Sequence, residues 1–298
     1  MLGIAPLKSQ GIRDVGTVAQ YRHLVEMGVP QKTRPFRLAE RLFYRVLSRD
    51  ETPSLWFEYQ KPSANNPELR TWSRAFLREG VTCALAHARR IEDPRVRGSA
   101  HRVISDVSQF LRSDLAESPL EKKASKYTLH PDARPPSLFS VAMIAYMPRL
   151  QRERAGFVER LGRFLAKPPP KKSWTIQIGR KAIRPTFHFL GDPLNADKRG
   201  NTPDIPWALH WIELMVRLEL LDEMLVAQQI LARLLADCDD QGIWSPKNLR
   251  ATPKGPSHIS DFAFPMEHDT RTAESRRTDV TFRLALIAKL AGWSLDYI

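Results

Sequence analysis

Leu231–Pro246 reads LARLLADCDDQGIWSP. Leucines at helical spacing run into three aspartates and a Gln-Gly pair, and Trp244 follows. The centre of this stretch recurs. Arg45–Trp56 is RVLSRDETPSLW, Arg163–Trp174 is RFLAKPPPKKSW and Arg233–Trp244 is RLLADCDDQGIW. Each opens with Arg, an apolar residue and Leu, crosses a polar or Pro-rich turn and ends on Trp. Leu and Trp stand nine residues apart in all three. Gln109–Leu120, QFLRSDLAESPL, is a weaker copy with Leu120 in the place of Trp. Copies that align without gaps point to an internal repeat.

Working outward, each copy ends an amphipathic stripe. Phe36, Ala39, Leu42, Phe43, Val46 and Leu47 precede the first, and Leu225, Ala227, Ile230, Leu231, Leu234 and Leu235 lead into the last. Spacings of three and four place such residues on one helix face. Upstream of each stripe lies another helical segment: Val15–Met27, Leu69–Ile91, Leu138–Leu150 and Ile205–Leu221. Pro35 and Pro94 suit the first turn of a helix, where a missing N–H costs nothing. A closing helix is expected over Arg277–Ala291, ending at Gly292. The pattern predicts an all-α fold of four helical hairpins, one every ~55–70 residues, plus that last helix. Residues 1–14 read as an extension and 15–298 as one helical domain. Asp114–Pro136 and Trp244–Glu274 read as irregular. Within Ser173–Phe189, alternating Trp174, Ile176 and Ile178 with a turn at Gly179 predict a small β-hairpin.

The Trp position has a physical reading. A helix end leaves carbonyls that need partners. Gly242 supplies a positive-φ turn at little steric cost. The indole then covers the helix end, contributing ~2–3 kcal/mol by area burial. Trp56, Trp174 and Trp244 are therefore expected to be structural.

The 298 residues carry 46 Lys+Arg against 33 Asp+Glu, a formal net charge of +13. Two cysteines, Cys83 and Cys238, exclude a disulfide framework and cysteine-only metal sites. The chain has no apolar run near the ~18 residues of a membrane span and no long apolar leader. It reads as a soluble protein of a reducing compartment, with a cytoplasmic location expected.

Leu231–Pro246 resembles the helix–Gln/Asp–Gly–x–Trp repeat of the α/α-toroid proteins, the fold of squalene and other terpenoid cyclases and of protein prenyltransferase β subunits. Ser275–Leu290, SRRTDVTFRLALIAKL, is similar to the closing helix of small bacterial relatives. The first copy departs from the motif by lacking Gly, and the third puts Pro168-Pro169-Pro170 in the turn. The resemblance implies a toroid, or an incomplete one, and a central cavity for an isoprenoid or other apolar anionic ligand. First-helix residues Trp72, Tyr146, Trp207, His210 and Trp211 are the expected lining. Whether the protein is an enzyme stays open, and no cofactor or metal is expected.

Asp237-Cys238-Asp239-Asp240 spells D-x-D-D, which in class II terpenoid cyclases protonates the substrate. Here it runs directly into Gln-Gly-Ile-Trp, where aspartates are ordinary turn formers. Asp237, Asp239 and Asp240 are therefore expected to be turn residues, and with His210 they are the weak catalytic candidates. The prenyltransferase zinc site has Asp-x-Cys spacing, which neither cysteine here has. Glu267-His268-Asp269, with His258 and Asp261 upstream, has metal-type ligands without a metal spacing and reads as a polar loop. Lys122, Lys123 and Lys126 form one basic cluster. Lys167, Lys171, Lys172, Arg180, Lys181 and Arg184 form a second, interleaved with Trp174 and Phe187, and all of these but Lys167 are the expected anion site. Such residues suit a diphosphate or nucleic acid alike. The competing reading is thus a non-enzymatic basic helical scaffold that binds nucleic acid or an acidic partner.

Overall fold

Pro35 and Pro94 both stand in the first turn of a helix, as their missing N–H groups favour. The computed structural model describes residues 16–48, 64–123, 125–247, 249 and 272–293. The chain is mostly helical with one small sheet, and it divides into two compact units. The first comprises residues 1–164 and 169–190, the second residues 165–168 and 191–298.

The first unit contains α1 (Thr17–Glu26), α2 (Arg34–Ser48), α3 (Pro67–His87), α4 (Pro94–Arg112), α5 (Leu138–Ala145), α6 (Pro148–Glu153) and all but the last residue of α7 (Ala155–Leu165). Helix α3 packs against α1, α2, α4 and α5. Asn66 caps it, its Oδ1 accepting from Leu69 N at 2.9 Å, and Pro67 fills the first turn. Asp93 caps α4 in the same way by accepting from Arg95 N.

Three hairpins share one closing device. Gly28, Arg89 and Glu219 have φ of 67°, 59° and 58° and follow the ends of α1, α3 and α8 (Ile205–Arg217). At each, two successive N–H groups turn back to the helix: Gly28 and Val29 to Val25 O and Leu24 O, Arg89 and Arg90 to Ala86 O and Leu85 O, Glu219 and Leu220 to Val216 O and Met215 O. This Schellman pattern satisfies the terminal carbonyls.

The segment read as helical over Leu138–Leu150, with a break expected around Met147–Gln151, leaves the helix after Ala145 and resumes at Pro148. Pro148 lacks the N–H that would reach Ile144 O. Met147 N reaches Ile144 O instead at 2.9 Å, and the Gln151 side chain donates to Ile144 O at 2.8 Å and to Ala145 O at 3.2 Å.

The sheet has the order β1 (Leu120–Lys123), β2 (Lys126–Leu129), β3 (Trp174–Ile178), β4 (Lys181–Ile183). β1 and β2 are antiparallel, β2 and β3 parallel, β3 and β4 antiparallel. The expected hairpin is present, with Gly179 at φ 56° in its two-residue turn. Its second strand is shorter than expected. Residues beyond Pro185 pair elsewhere, with Leu138 N donating to Phe187 O and Phe189 N to Pro136 O. The stretch Asp114–Pro136, expected to be irregular, contains β1 and β2. LEKK and KYTL are too short and charged to show alternation, and their order comes from pairing with each other and with β3.

In the described copies of the repeat, the Trp position is where the chain leaves the helix for extended pairing. Leu120 opens β1, Trp174 opens β3, and Trp244 bridges Cys238. Trp56 lies outside the described residues.

The second unit packs α8 against α9 (Leu225–Ala236) and α10 (Ala273–Leu290). Asp204 caps α8, accepting from Trp207 N at 3.0 Å. Glu213 is buried on α8 between Arg217 at 2.9 Å and Arg283 of α10 at 3.4 Å. Among the described residues, no helix is long and apolar enough to cross a membrane.

Candidate functional site

Helix α3 sets Trp72, Phe76, Glu79, Cys83 and His87 at steps of four, three, four and four. That spacing lines them along one face. Three other segments of the first unit reach the same face. Phe139 and Tyr146 come from α5 and its C-cap, Phe187 and His188 from the chain after β4, and Arg22 from α1.

Phe76 is the centre of an aromatic cluster. Its ring lies 5.2 Å from Trp72 (stacked), 5.1 Å from Phe139, 5.7 Å from Phe187 and 5.4 Å from His188. Phe139 and Phe187 also stack, at 5.6 Å. Each such pair adds ~0.5–1.5 kcal/mol beyond area burial. Phe76 and Phe139 are buried, while Trp72, Phe187 and His188 stay partly accessible. The result is a ring wall with a packed base and an open rim.

A carboxyl stands one turn further along. Glu79 Oε1 accepts a hydrogen bond from Ser137 Oγ at 2.8 Å. Ser137 is held twice more: its Oγ accepts from Phe139 N and Ser140 N, and its backbone bridges His188. One short segment therefore positions both the carboxyl's partner and the ring wall. Burial pushes the Glu79 carboxyl up to about 7, against the lowering effect of Ser137 and Ser140. Burial, aided by the Arg134 charge, pulls His188 down to about 4, so its imidazole is neutral at pH 7.

Beyond Glu79 the face becomes more polar. Arg22 is 1% exposed; burial disfavours its charge, yet its proton affinity stays above that of a free guanidinium and it is cationic at neutral pH. Burial raises the Cys83 thiol to about 11, Arg22 opposing, so the sulfur is protonated at neutral pH. A neutral buried thiol is a poor nucleophile. His87 and Tyr146 stack at 4.2 Å. The arrangement offers an apolar aromatic surface, one titratable proton on Glu79 and a fixed cation nearby. That suits binding of an apolar molecule and proton transfer to it.

The five expected lining residues fall in both units. Trp72 and Tyr146 are on the face just described. Trp207, His210 and Trp211 belong to α8 in the second unit, where they are 6%, 2% and 0% exposed and pack on one another, Trp207 lying 6.1 Å from His210 and 5.6 Å from Trp211. Asp237, Asp239 and Asp240 lie in the turn after α9. Asp237 pairs with Arg233 at 2.9 Å, and the Asp239 carboxylate accepts from Gln241 N at 3.0 Å and Ile243 N at 2.9 Å. Asp240 is exposed. Lys171, Lys172, Arg180, Lys181 and Arg184 are exposed in or beside β3 and β4, with Lys172 Nζ donating to Tyr127 Oη at 2.8 Å. Glu267, His268, Asp269, His258 and Asp261 lie outside the described residues. Among the described residues, no group of three or more His, Cys, Asp or Glu is placed to hold a metal ion.

Sequence reasoning passed over Glu79, His87, His188 and Arg22; it weighed Cys83 only against a disulfide or zinc role and placed Phe187 only in the basic cluster. The available signal was the i, i+4, i+8 run Glu79-Cys83-His87 on one face of α3. Comparison of the chain with models of protein families, with curated proteins and with solved structures finds no match.

Proposed function

We propose that the protein is a helical-hairpin protein of α/α-toroid type that binds an apolar, isoprenoid-like ligand against the α3–α5 face of its first unit. The observation that carries this reading is the ring wall around Phe76 with the Glu79 carboxyl one turn away on the same helix. The wall takes hydrocarbon, and Glu79, half protonated near neutral pH, hydrogen-bonds or protonates the reactive end. The repeat pattern and its resemblance to the terpenoid cyclases support the same ligand class. The test is native mass spectrometry of freshly purified protein, with farnesol titrated against tryptophan fluorescence. One bound equivalent is expected, lost in Trp72→Ala and in Phe187→Ala, whose side chains sit at the rim. Absence of any adduct, or uptake unchanged in both variants, refutes it.

The sheet favours a second reading. It gathers Lys122, Lys123, Lys126, Lys171, Lys172, Arg180, Lys181 and Arg184 around four strands whose own segments hold a single carboxylate, Glu121. Tyr127 and Trp174 are cross-strand partners in that setting, as base-stacking surfaces require. This is a polyanion-binding face. Charge reversal at Lys171, Lys172 and Lys181 is expected to abolish salt-sensitive retention on heparin. A wild-type protein that is not retained at low salt removes this reading.

A further inference from the structure

A cleft of about 690 Å³ opens in the first unit between α4 and the α6–α7 junction, well away in the chain from the α3 stripe. Its size is that of a small-molecule site. Ile104 and Phe157, 2% and 4% exposed, form an apolar floor. Around it stand Arg112, Arg154 and Arg160. Ser105, Ser108 and Ser113 add hydroxyls, and Glu153 is the one carboxylate in the lining.

The three cations are held differently. Arg112 Nη2 is anchored to Ser108 Oγ at 2.9 Å, on its own helix one turn back. Arg154 Nη2 lies 3.5 Å from His101 Nδ1. Arg160 Nε is buried without a hydrogen-bond partner. A buried guanidinium N–H with nothing to donate to is costly unless a ligand completes it. Glu153 does not fill that role: it makes no hydrogen bond to Arg160 Nε, and its Oε1 accepts from Arg149 Nε at 3.2 Å. Ala155 and Gly156, the first residues of α7, line the same cleft. First-turn N–H groups have no partner within the helix, and their dipole adds to the positive potential.

We propose that this cleft is a binding site for a phosphate-bearing small molecule, with Arg112, Arg154 and Arg160 holding the phosphate and Ile104 and Phe157 carrying the organic body. Guanidinium forks match phosphate oxygens in pairs, which lysines do not. The site is separate from the aromatic face, so either reading stands if the other fails.

The test is calorimetric titration of the full chain with inorganic pyrophosphate at low ionic strength. Wild-type protein is expected to bind it. Each lost charge-assisted contact weakens binding by about tenfold to a hundredfold. Arg154→Gln/Arg160→Gln should lose at least that much. Arg112→Gln/Arg154→Gln changes only exposed side chains, so it provides the same test without a risk to folding. Arg37→Gln/Arg41→Gln, exposed on α2 and outside both the cleft and the sheet, should bind as wild type does. No binding by the wild type, binding by Arg112→Gln/Arg154→Gln equal to wild type, or loss of binding in Arg37→Gln/Arg41→Gln overturns the assignment.

Discussion

Replacing Glu79 by Gln should stabilise this protein, and only above mildly acidic pH. The carboxyl is raised from its ordinary 4.5 to about 7, burial being the largest cause. The folded state therefore holds the proton more tightly than the unfolded state does. Stability is greatest below 4.5 and falls as pH rises through 7, where the folded state must carry a desolvated charge. At ~1.4 kcal/mol for each tenfold difference in proton affinity, the full loss is about 3 kcal/mol. The amide introduced by Glu79→Gln would keep an oxygen to accept from Ser137 Oγ, and it carries no charge. Asp106 adds a small repulsion to the ionised form, which the substitution also removes. His188 works in the opposite direction. Its folded value of about 4 lies below the ordinary 6.5, so its contribution is lost as pH falls. Both proteins share it, and it cancels in their difference. Guanidinium melts followed by circular dichroism at pH 5 and pH 8 measure that difference. The variant should exceed wild type by under about 1 kcal/mol at pH 5 and by about 3 kcal/mol at pH 8. A variant less stable than wild type at pH 8, or a difference that does not change with pH, refutes the buried-acid reading of Glu79.

Trp244→Ala should cost ~3 kcal/mol or more, because a ring only 2% exposed leaves a cavity; an unchanged melting temperature would remove the role given to Trp at the helix end. Asp239→Asn keeps the oxygen that accepts from Gln241 N and Ile243 N, so thermal melts should show a loss of at most about 1 kcal/mol. Any isoprenoid cyclisation found in the wild type should survive Asp239→Asn within a few-fold. Its disappearance with the fold intact would make the D-x-D-D motif catalytic.

The helices were legible because their hydrogen bonds close within four residues and their stripes have to face a core. Pro94 after Asp93, the apolar run of α8 and the turn at Gly242 are all written locally, and the structure keeps them. The hairpin turn at Gly179 was legible for the same reason.

Tertiary structure alone decided the rest. Strands β1 and β2 exist because they pair with each other and with β3, about forty-five residues on from β2, and no local pattern in LEKK or KYTL announces it. The candidate site shows the division most plainly. Trp72 and Tyr146 could be picked as aromatics on first helices. Glu79 could not be picked, because a glutamate becomes an acid of pKa about 7 only through burial beneath its neighbours, and the Ser137 that holds it lies fifty-eight residues away. Sequence determines which side chains a helix presents; packing determines the dielectric around them, and the chemistry follows from that environment.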